Sequence, residues 1–161
     1  MLPQKLKFMD NKKSSQKVSI VLASSWLTAL TIFVVPFFID FKNDGLLQVI
    51  AGVLIVLIFV MFLIGGFFYV DIDVENNSTL SIKHYNLFPL WRKFKMIKIP
   101  LKRLYRIEVK SYFLEIFTFV YIYEEAKKGI ARYPGIGFSA FPNLEKKAAI
   151  TLLKKLVGIK Q

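Results

Sequence analysis

Residues 18–39 read VSIVLASSWLTALTIFVVPFFI and residues 46–70 read LLQVIAGVLIVLIFVMFLIGGFFYV, and neither run contains Asp, Glu, Lys, Arg or His. An α-helix of the first length rises about 33 Å, enough to cross a hydrocarbon layer of about 30 Å. The second run is long enough to cross with tilt. The sequence therefore predicts two transmembrane helices, at 18–39 and 46–70, joined by a short polar loop.

Two other interpretations of these runs are less consistent with the sequence. The first run could also be the apolar region of a cleaved signal peptide, because lysines precede it. It is too long for such a region, and the segment PFFID offers no small-residue cleavage site. The runs could also form a buried helical hairpin in a soluble protein. Two uncharged runs of this length in a chain of only 161 residues disfavour that interpretation. An uncleaved membrane hairpin is the better prediction.

The distribution of lysine and arginine predicts the orientation of this hairpin. Residues 1–17 carry five lysines against one acid, and the loop between the runs has Lys42 flanked by Asp40 and Asp44. Residues 71–161 carry seventeen Lys or Arg against eight acids. Because positive charge marks the inner side, we expect a cytoplasmic tail (1–17), a membrane hairpin (18–70) and a cytoplasmic domain (71–161), with both termini cytoplasmic.

Small residues in both runs predict where the two helices approach each other. The predicted helix-packing positions are Ser24, Thr28, Gly52, Gly65 and Gly66. Because neither run holds Asp, Glu, Lys, Arg or His, a self-contained pump or channel is disfavoured. The chain also has no cysteine, which excludes disulfides and thiolate metal sites and fits a reducing compartment.

The domain at 71–161 has the pattern of short strands followed by one helix. Residues 70–74 and 80–82 alternate around a Glu-Asn-Asn-Ser turn and predict a β-hairpin. The segment 142–157 has apolar residues at helical spacing and ends at Gly158. Further strand-like segments are 92–99, 104–109, 114–123, 130–133 and 136–141. The pattern predicts a mainly-β barrel or sandwich, closed at one end by a C-terminal helix.

This order of elements resembles the bacterial pleckstrin-homology-like (PH-like) proteins that carry a two-helix membrane anchor. The resemblance rests on the element order and on the segments LSIKHYNL, IPLKRLYRIEV and GIGFSAFPNLEKKAAITLLKKL. It implies a seven-stranded antiparallel barrel capped by one C-terminal helix, in a protein of the bacterial inner membrane. It also implies a binding or scaffolding module and not a catalyst.

A basic stripe, interleaved with Trp91, Phe94 and Tyr105, is the most distinctive charge feature of the domain. Its members are Arg92, Lys93, Lys95, Lys98, Lys102, Arg103, Arg106 and Lys110. At the inner leaflet such a stripe would meet anionic lipid head groups. A solvated face that only follows the positive-inside bias, or a site for a protein partner, would give the same pattern. Nucleic acid is disfavoured because no nucleic-acid-binding motif is present.

No residue set in the chain specifies a reaction, a metal or a cofactor. Asp71, Asp73 and Glu75 lack the glycine turn and the distant glutamate of a calcium loop, and pairing with Lys83 or other basic residues is the better interpretation. The one histidine, His84, has no evident nucleophile to serve. We therefore expect a non-enzymatic protein without cofactors: an accessory subunit of a membrane complex, a homo-oligomer or a binder of anionic lipid. The alternative is a transport or enzymatic assembly in which it has a direct role.

Overall fold

The computed structural model describes residues 5–39, 44–76, 78–88, 93–126 and 129–157. Short 3-10 turns lie at Val35–Phe37 and Leu101–Arg103. The helices and strands, in chain order, are β1 (Lys5–Asp10), α1 (Lys12–Val34), α2 (Asp44–Ile64), β2 (Phe68–Glu75), β3 (Thr79–Asn86), β4 (Lys95–Pro100), β5 (Leu104–Tyr112), β6 (Phe117–Ala126), β7 (Gly129–Arg132), β8 (Ile136–Gly137) and α3 (Asn143–Val157).

Helices α1 and α2 are long and apolar enough to cross a membrane, judged by length and composition. They pack against each other, with Ala29 of α1 and Ala51 of α2 buried. A Cβ on Gly52 would lie 3.6 Å from the ring of Phe33 on α1, so Gly52 lies at the contact between the helices. Most side chains on the remaining surface of both helices are exposed and apolar, as a lipid-facing surface requires.

The ends of both helices differ from the predicted spans. Helix α1 begins at Lys12, six residues before the apolar run, and α2 ends at Ile64. Gly65 and Gly66 follow α2, and Gly66 has a left-handed φ of 66°, which ends a helix at low cost. Residues 68–70, predicted as helix, are instead the first residues of β2, where they pair with β3.

The strands form two separate antiparallel sheets. The first has the order β1-β2-β3-β4. The second has the order β5-β6-β7, with β8 also paired to β6. Strand β1 was not predicted: residues 5–10 lie in the expected tail, yet they pair with β2 from Lys5 opposite Glu75 to Asp10 opposite Asp71. The lysines that indicated a cytoplasmic tail also interrupt the apolar pattern that indicates a strand.

One hydrophobic core joins the inner faces of both sheets to α3. The predicted hairpin of β2 and β3 and the predicted C-terminal helix are confirmed. Helix α3 buries Ala149, Leu153 and Leu156, whereas Leu144, expected on its apolar face, is exposed. The sheets contribute Val70, Ile72, Val74, Leu80, Ile82, Ile97, Ile99, Leu104, Ile107, Val120 and Ile122. The described residues thus form two packed antiparallel sheets with one helix, and no closed seven-stranded barrel is seen among them.

Candidate functional site

Both helices meet the sheets at one end of the β domain, which we call the helix end. Asn11, only 1% exposed, lies between β1 and α1. Its Oδ1 accepts the N–H of Val70 at 2.8 Å, and its Nδ2 donates to the carbonyl oxygen of Phe68 at 2.9 Å. Its backbone N–H also donates to the carbonyl oxygen of Val70 at 3.2 Å. One residue therefore continues the β1–β2 ladder while the chain turns into α1.

The second junction, from α2 to β2, is fixed by close backbone contacts. The carbonyl oxygen of Gly66 accepts the N–H of Ser139 at 3.3 Å. A Cβ on Gly137 would overlap the carbonyl of Gly66, so only glycine fits there without a shift. Gly65 and Gly66, predicted as helix-packing positions, instead form this junction beyond the end of α2. The domain is thus attached to both helices through packed and hydrogen-bonded contacts.

A groove of about 710 Å³ opens at the helix end, between the first turns of α1 and the outer face of the first sheet. The sheet side is aromatic: the ring centroids of Tyr69 and Tyr85 lie 4.9 Å apart, and those of Tyr85 and Phe94 lie 4.5 Å apart. The helix side is polar apart from Ile20. The lining residues are Lys12, Ser15, Gln16, Ser19, Ile20, Tyr69, Tyr85, Leu87 and Phe94.

Helix α1 starts with an excess of positive charge. Lys12, Lys13 and Lys17 lie in its first two turns, and the first turn contains no acid. The carboxylate of Asp10 accepts the N–H of Lys12 at 3.2 Å and partly offsets this charge. The positive end of the helix dipole adds to the lysines. Lys12 is the lysine of this group that lines the groove, so this side chain and the helix start give the groove a positive side.

The basic stripe is not one surface. Lys93 and Lys95 flank Phe94 at the helix end, whereas β4 carries the chain about 17 Å further before Lys102 and Arg103 follow. Arg106 and Lys110 lie on the outer face of the second sheet, and the two sheets pack through their inner faces. Arg92, and Trp91 beside it, lie outside the described residues.

Ion pairs divide the stripe further. Lys98 Nζ lies 3.0 Å from Glu75 Oε2, and Arg103 lies 3.9 Å from Glu124. Arg106 and Lys110 each lie 3.5 Å from Glu108. Within the described part of the chain, the basic members that have no carboxylate at ion-pairing distance are Lys93, Lys95 and Lys102.

Glu108 is at the centre of a network on the second sheet. Tyr123 donates its hydroxyl proton to Glu108 Oε2 at 2.6 Å, and Arg106 lies 4.7 Å from the centroid of the Tyr123 ring. The Tyr123 hydrogen bond, with smaller effects of Lys110 and Arg106, lowers the pKa of Glu108. The carboxylate is therefore charged beside both cations and offsets part of the positive charge that they present to an external anion.

Ser24 and Thr28 were predicted to contact the second helix, but both are exposed on α1. Ser24 Oγ donates to the carbonyl oxygen of Val21 at 3.0 Å, and Thr28 Oγ1 donates to that of Ser24 at 2.9 Å. Each hydroxyl is thus satisfied within its own helix. Because the buried small residues of α1 are Ser15 and Ala29, and not these two residues, the face with Ser24 and Thr28 is open to another partner.

The acidic residues and the histidine have structural surroundings. Glu75 pairs with Lys98, a basic residue of β4, which fits the expected pairing with neighbouring strands. Among the described residues, no group of three or more metal-ligating side chains comes together. His84 is buried, and burial, with the nearby charge of Lys95, lowers its pKa. It is therefore held in the neutral form within the sheet.

The hairpin between β5 and β6 carries an exposed apolar tip at residues 112–116, hereafter the hairpin tip. Phe113 is 77% exposed and Leu114 is 96% exposed. Phe113, Leu114 and Glu115 have left-handed φ values of 52°, 51° and 65°, a conformation that costs about 1–2 kcal/mol per residue. Residues 114–116 were predicted as strand, because an apolar run that turns has the same composition as one that stays extended.

Lys146 of α3 supports the hairpin tip from one side. Its Nζ donates to the carbonyl oxygen of Glu115 at 3.0 Å, and the residue is only 7% exposed. Burial lowers the pKa of Lys146. Ile116 also closes the turn by donating its N–H to the carbonyl oxygen of Phe113 at 3.0 Å. The strained tip is therefore held in place by contacts with the rest of the domain.

Comparison of the chain with family models, with curated proteins and with solved structures gives no match.

Proposed function

We propose that the chain is a non-catalytic protein of the bacterial inner membrane, whose β domain binds anionic lipid head groups at the cytoplasmic surface. In this proposal α1 and α2 cross the membrane, both termini are cytoplasmic, and the β domain is a variant of the PH-like fold acting as a binding or scaffolding module. The observation that carries the proposal is the groove at the helix end, where a lysine-rich helix start faces an aromatic sheet surface.

The chemistry of this groove suits a lipid phosphate. Lys12 supplies charge, Ser19 and Gln16 supply hydrogen-bonding groups, and the helix dipole adds to the positive potential. Tyr69 and Tyr85 are amphipathic rings of the type that occupies the head-group level of a bilayer. Lys93 and Lys95 flank Phe94 along the chain and add to the positive potential of the helix end, but they do not line the groove, and Lys95 faces the side of the sheet on which His84 lies. Each lysine near an anionic surface contributes on the order of 1 kcal/mol.

The far cations are poorly placed for the same role. Lys102 and Arg103 follow the end of β4, about 17 Å along the strand from Lys95, and the Debye length at physiological salt is about 8 Å. They would feel a surface at the helix end only weakly. The near and far pairs therefore give a matched comparison with the same change in charge.

The first experiment measures lipid selectivity of the full chain. The protein is purified in mild detergent and equilibrated with mixed micelles of phosphatidylcholine and phosphatidylglycerol, and the retained lipid is identified by mass spectrometry. We expect phosphatidylglycerol to be enriched over its share in the micelles and the enrichment to fall with added salt. The variants Lys12→Gln and Lys93→Gln/Lys95→Gln should lose most of it.

The matched control is Lys102→Gln/Arg103→Gln, which removes the same charge as the near pair but should retain the enrichment. Equal retention of both lipids by the unmodified protein would contradict the proposal. Equal losses in the near and far pairs would also contradict it, because the effect would then follow net charge and not position.

An accessory-subunit role is the second candidate, and the exposed face with Ser24 and Thr28 favours it. Small side chains with internally satisfied hydroxyls let another helix approach closely. The test is purification from the native membrane in mild detergent, with mass spectrometry of the proteins that remain bound. Ser24→Leu/Thr28→Leu should then release stoichiometric partners. Ala23→Leu adds the same bulk at an exposed small residue about 100° around the helix from Ser24, and it should not release them.

A further inference from the structure

We propose that the hairpin tip inserts into the inner leaflet of the membrane beside α1 and α2, as a third apolar contact between this protein and lipid. The proposal rests on the membrane placement of the two helices. It does not depend on anionic head groups, because the side chains proposed to insert, Phe113, Leu114 and Ile116, are apolar. The tip presents Phe113, Leu114 and Ile116 as exposed side chains at the end of one hairpin.

Contacts on the helix end place the hairpin tip next to the start of the apolar run. The ring centroid of Phe113 lies 6.2 Å from that of Phe117, and the Phe117 centroid lies 6.1 Å from that of Phe67. Phe67 directly follows Gly66 at the end of α2. The same cluster includes Val18, the first residue of the apolar run in α1. Phe117 thus packs at the level where α1 becomes fully apolar, and the tip adjoins it.

The environment of the hairpin tip favours lipid as its partner. Exposed aromatic and aliphatic side chains at the head-group boundary are typical of interfacial insertion, which reaches about 5–10 Å into the leaflet. The tip has a left-handed backbone at three successive residues, and Lys146 is bound to the carbonyl oxygen of Glu115 behind it. A strained and exposed apolar turn indicates a functional contact when the surrounding structure maintains it.

A single-cysteine experiment tests the insertion, and the absence of native cysteine makes the labelling specific. Leu114→Cys is labelled with a polarity-sensitive fluorophore, and the full chain is reconstituted into vesicles of phosphatidylcholine alone. Some vesicles carry a nitroxide near the glycerol end of the acyl chain. We expect the emission of the label to shift to shorter wavelength. We also expect the nitroxide to quench roughly half or more of the emission intensity, because the label lies within about 10 Å of the boundary.

Two control positions separate this proposal from the membrane placement of the helices. Ile130→Cys lies on β7 at the opposite end of β6, is also exposed, and should show neither change. Leu57→Cys lies in the middle of α2 and should report the hydrocarbon layer. If Leu57→Cys reports lipid while Leu114→Cys reports water, insertion of the tip is refuted and the anchor stands. If Leu57→Cys also reports water, the proposed placement of the helices fails, and the inference fails with it.

Discussion

Asn11 is the residue at which a single substitution should separate the first helix from the β domain. Its side chain makes two hydrogen bonds to the backbone of β2, at 2.8 Å to Val70 and 2.9 Å to Phe68. In Asn11→Leu, whose side chain has the same number and branching of heavy atoms but no polar group, one buried N–H and one carbonyl oxygen lose their partner. Each such loss costs about 1–3 kcal/mol, so we expect the free energy of unfolding to fall by about 2–6 kcal/mol.

Asn11→Asp gives a second, pH-dependent form of the same perturbation. The carboxylate still accepts the Val70 N–H, but it sets a second oxygen against the Phe68 carbonyl, where only a protonated carboxyl group can donate. The fold therefore raises the pKa of the introduced carboxyl group above the ordinary aspartate value of about 3.9. The penalty is present above the raised pKa and is relieved as the pH falls through it, so the variant should gain stability relative to the unmodified protein on acidification.

The assay is equilibrium unfolding in mild detergent, followed by circular dichroism, together with amide hydrogen exchange at Val70. The matched control is Asn143→Asp, the same chemical change at an exposed position in the first turn of α3, where negative charge is favourable. A change below about 0.5 kcal/mol in Asn11→Leu, with unaltered exchange at Val70, would refute the reasoning, since surface substitutions without a structural role stay within that range.

Three further predictions follow from single contacts. Gly137→Ala should lower the free energy of unfolding by roughly 1–3 kcal/mol, because the new Cβ overlaps the Gly66 carbonyl. Gly45→Ala, which has open space around it, should leave the free energy of unfolding unchanged, and chemical denaturation measures both variants. The free energy of unfolding should fall as the pH drops below 6.5, the ordinary pKa of histidine, because the fold lowers the pKa of His84 and the unfolded chain therefore binds a proton first. His84→Phe should reduce this pH dependence in the same assay. Lys146→Met should speed hydrogen exchange of the amide that closes the hairpin tip, and unchanged exchange there would show that the lysine does not support the tip.

Much of the fold was predictable because it depends on local periodicity. The two uncharged runs indicated helices, the alternation around residues 70–82 indicated a hairpin, and the spacing at 142–157 indicated the C-terminal helix. Strand β1 was not predictable, because a six-residue segment becomes a strand only when β2 offers it an open edge. The helix-packing positions were also partly wrong, because small residues do not reveal which face of a helix meets its neighbour: Ser24 and Thr28 are exposed, while Ala29 is buried.

The candidate site shows the same division. The basic residues were evident from the sequence, but their grouping was not, since neighbours along the chain separate onto two sheets and onto two ends of one sheet. The groove joins residues that lie more than fifty positions apart, such as Lys12 and Tyr69, and no local pattern marks such a pairing. The hairpin tip was hidden because its residues have the composition of a strand.

The sequence by itself determined the two apolar helices, the basic character of residues 1–17 and 71–161 and the lack of cysteine chemistry, because each depends on composition or on spacing within one element. Only the tertiary structure decided which residues join the helices to the domain. Asn11 bonds to a strand almost sixty residues away, and Gly66 fits against Gly137. Such contacts arise when packing brings distant segments together, and their energies depend on distances of a few ångströms that no sequence periodicity encodes.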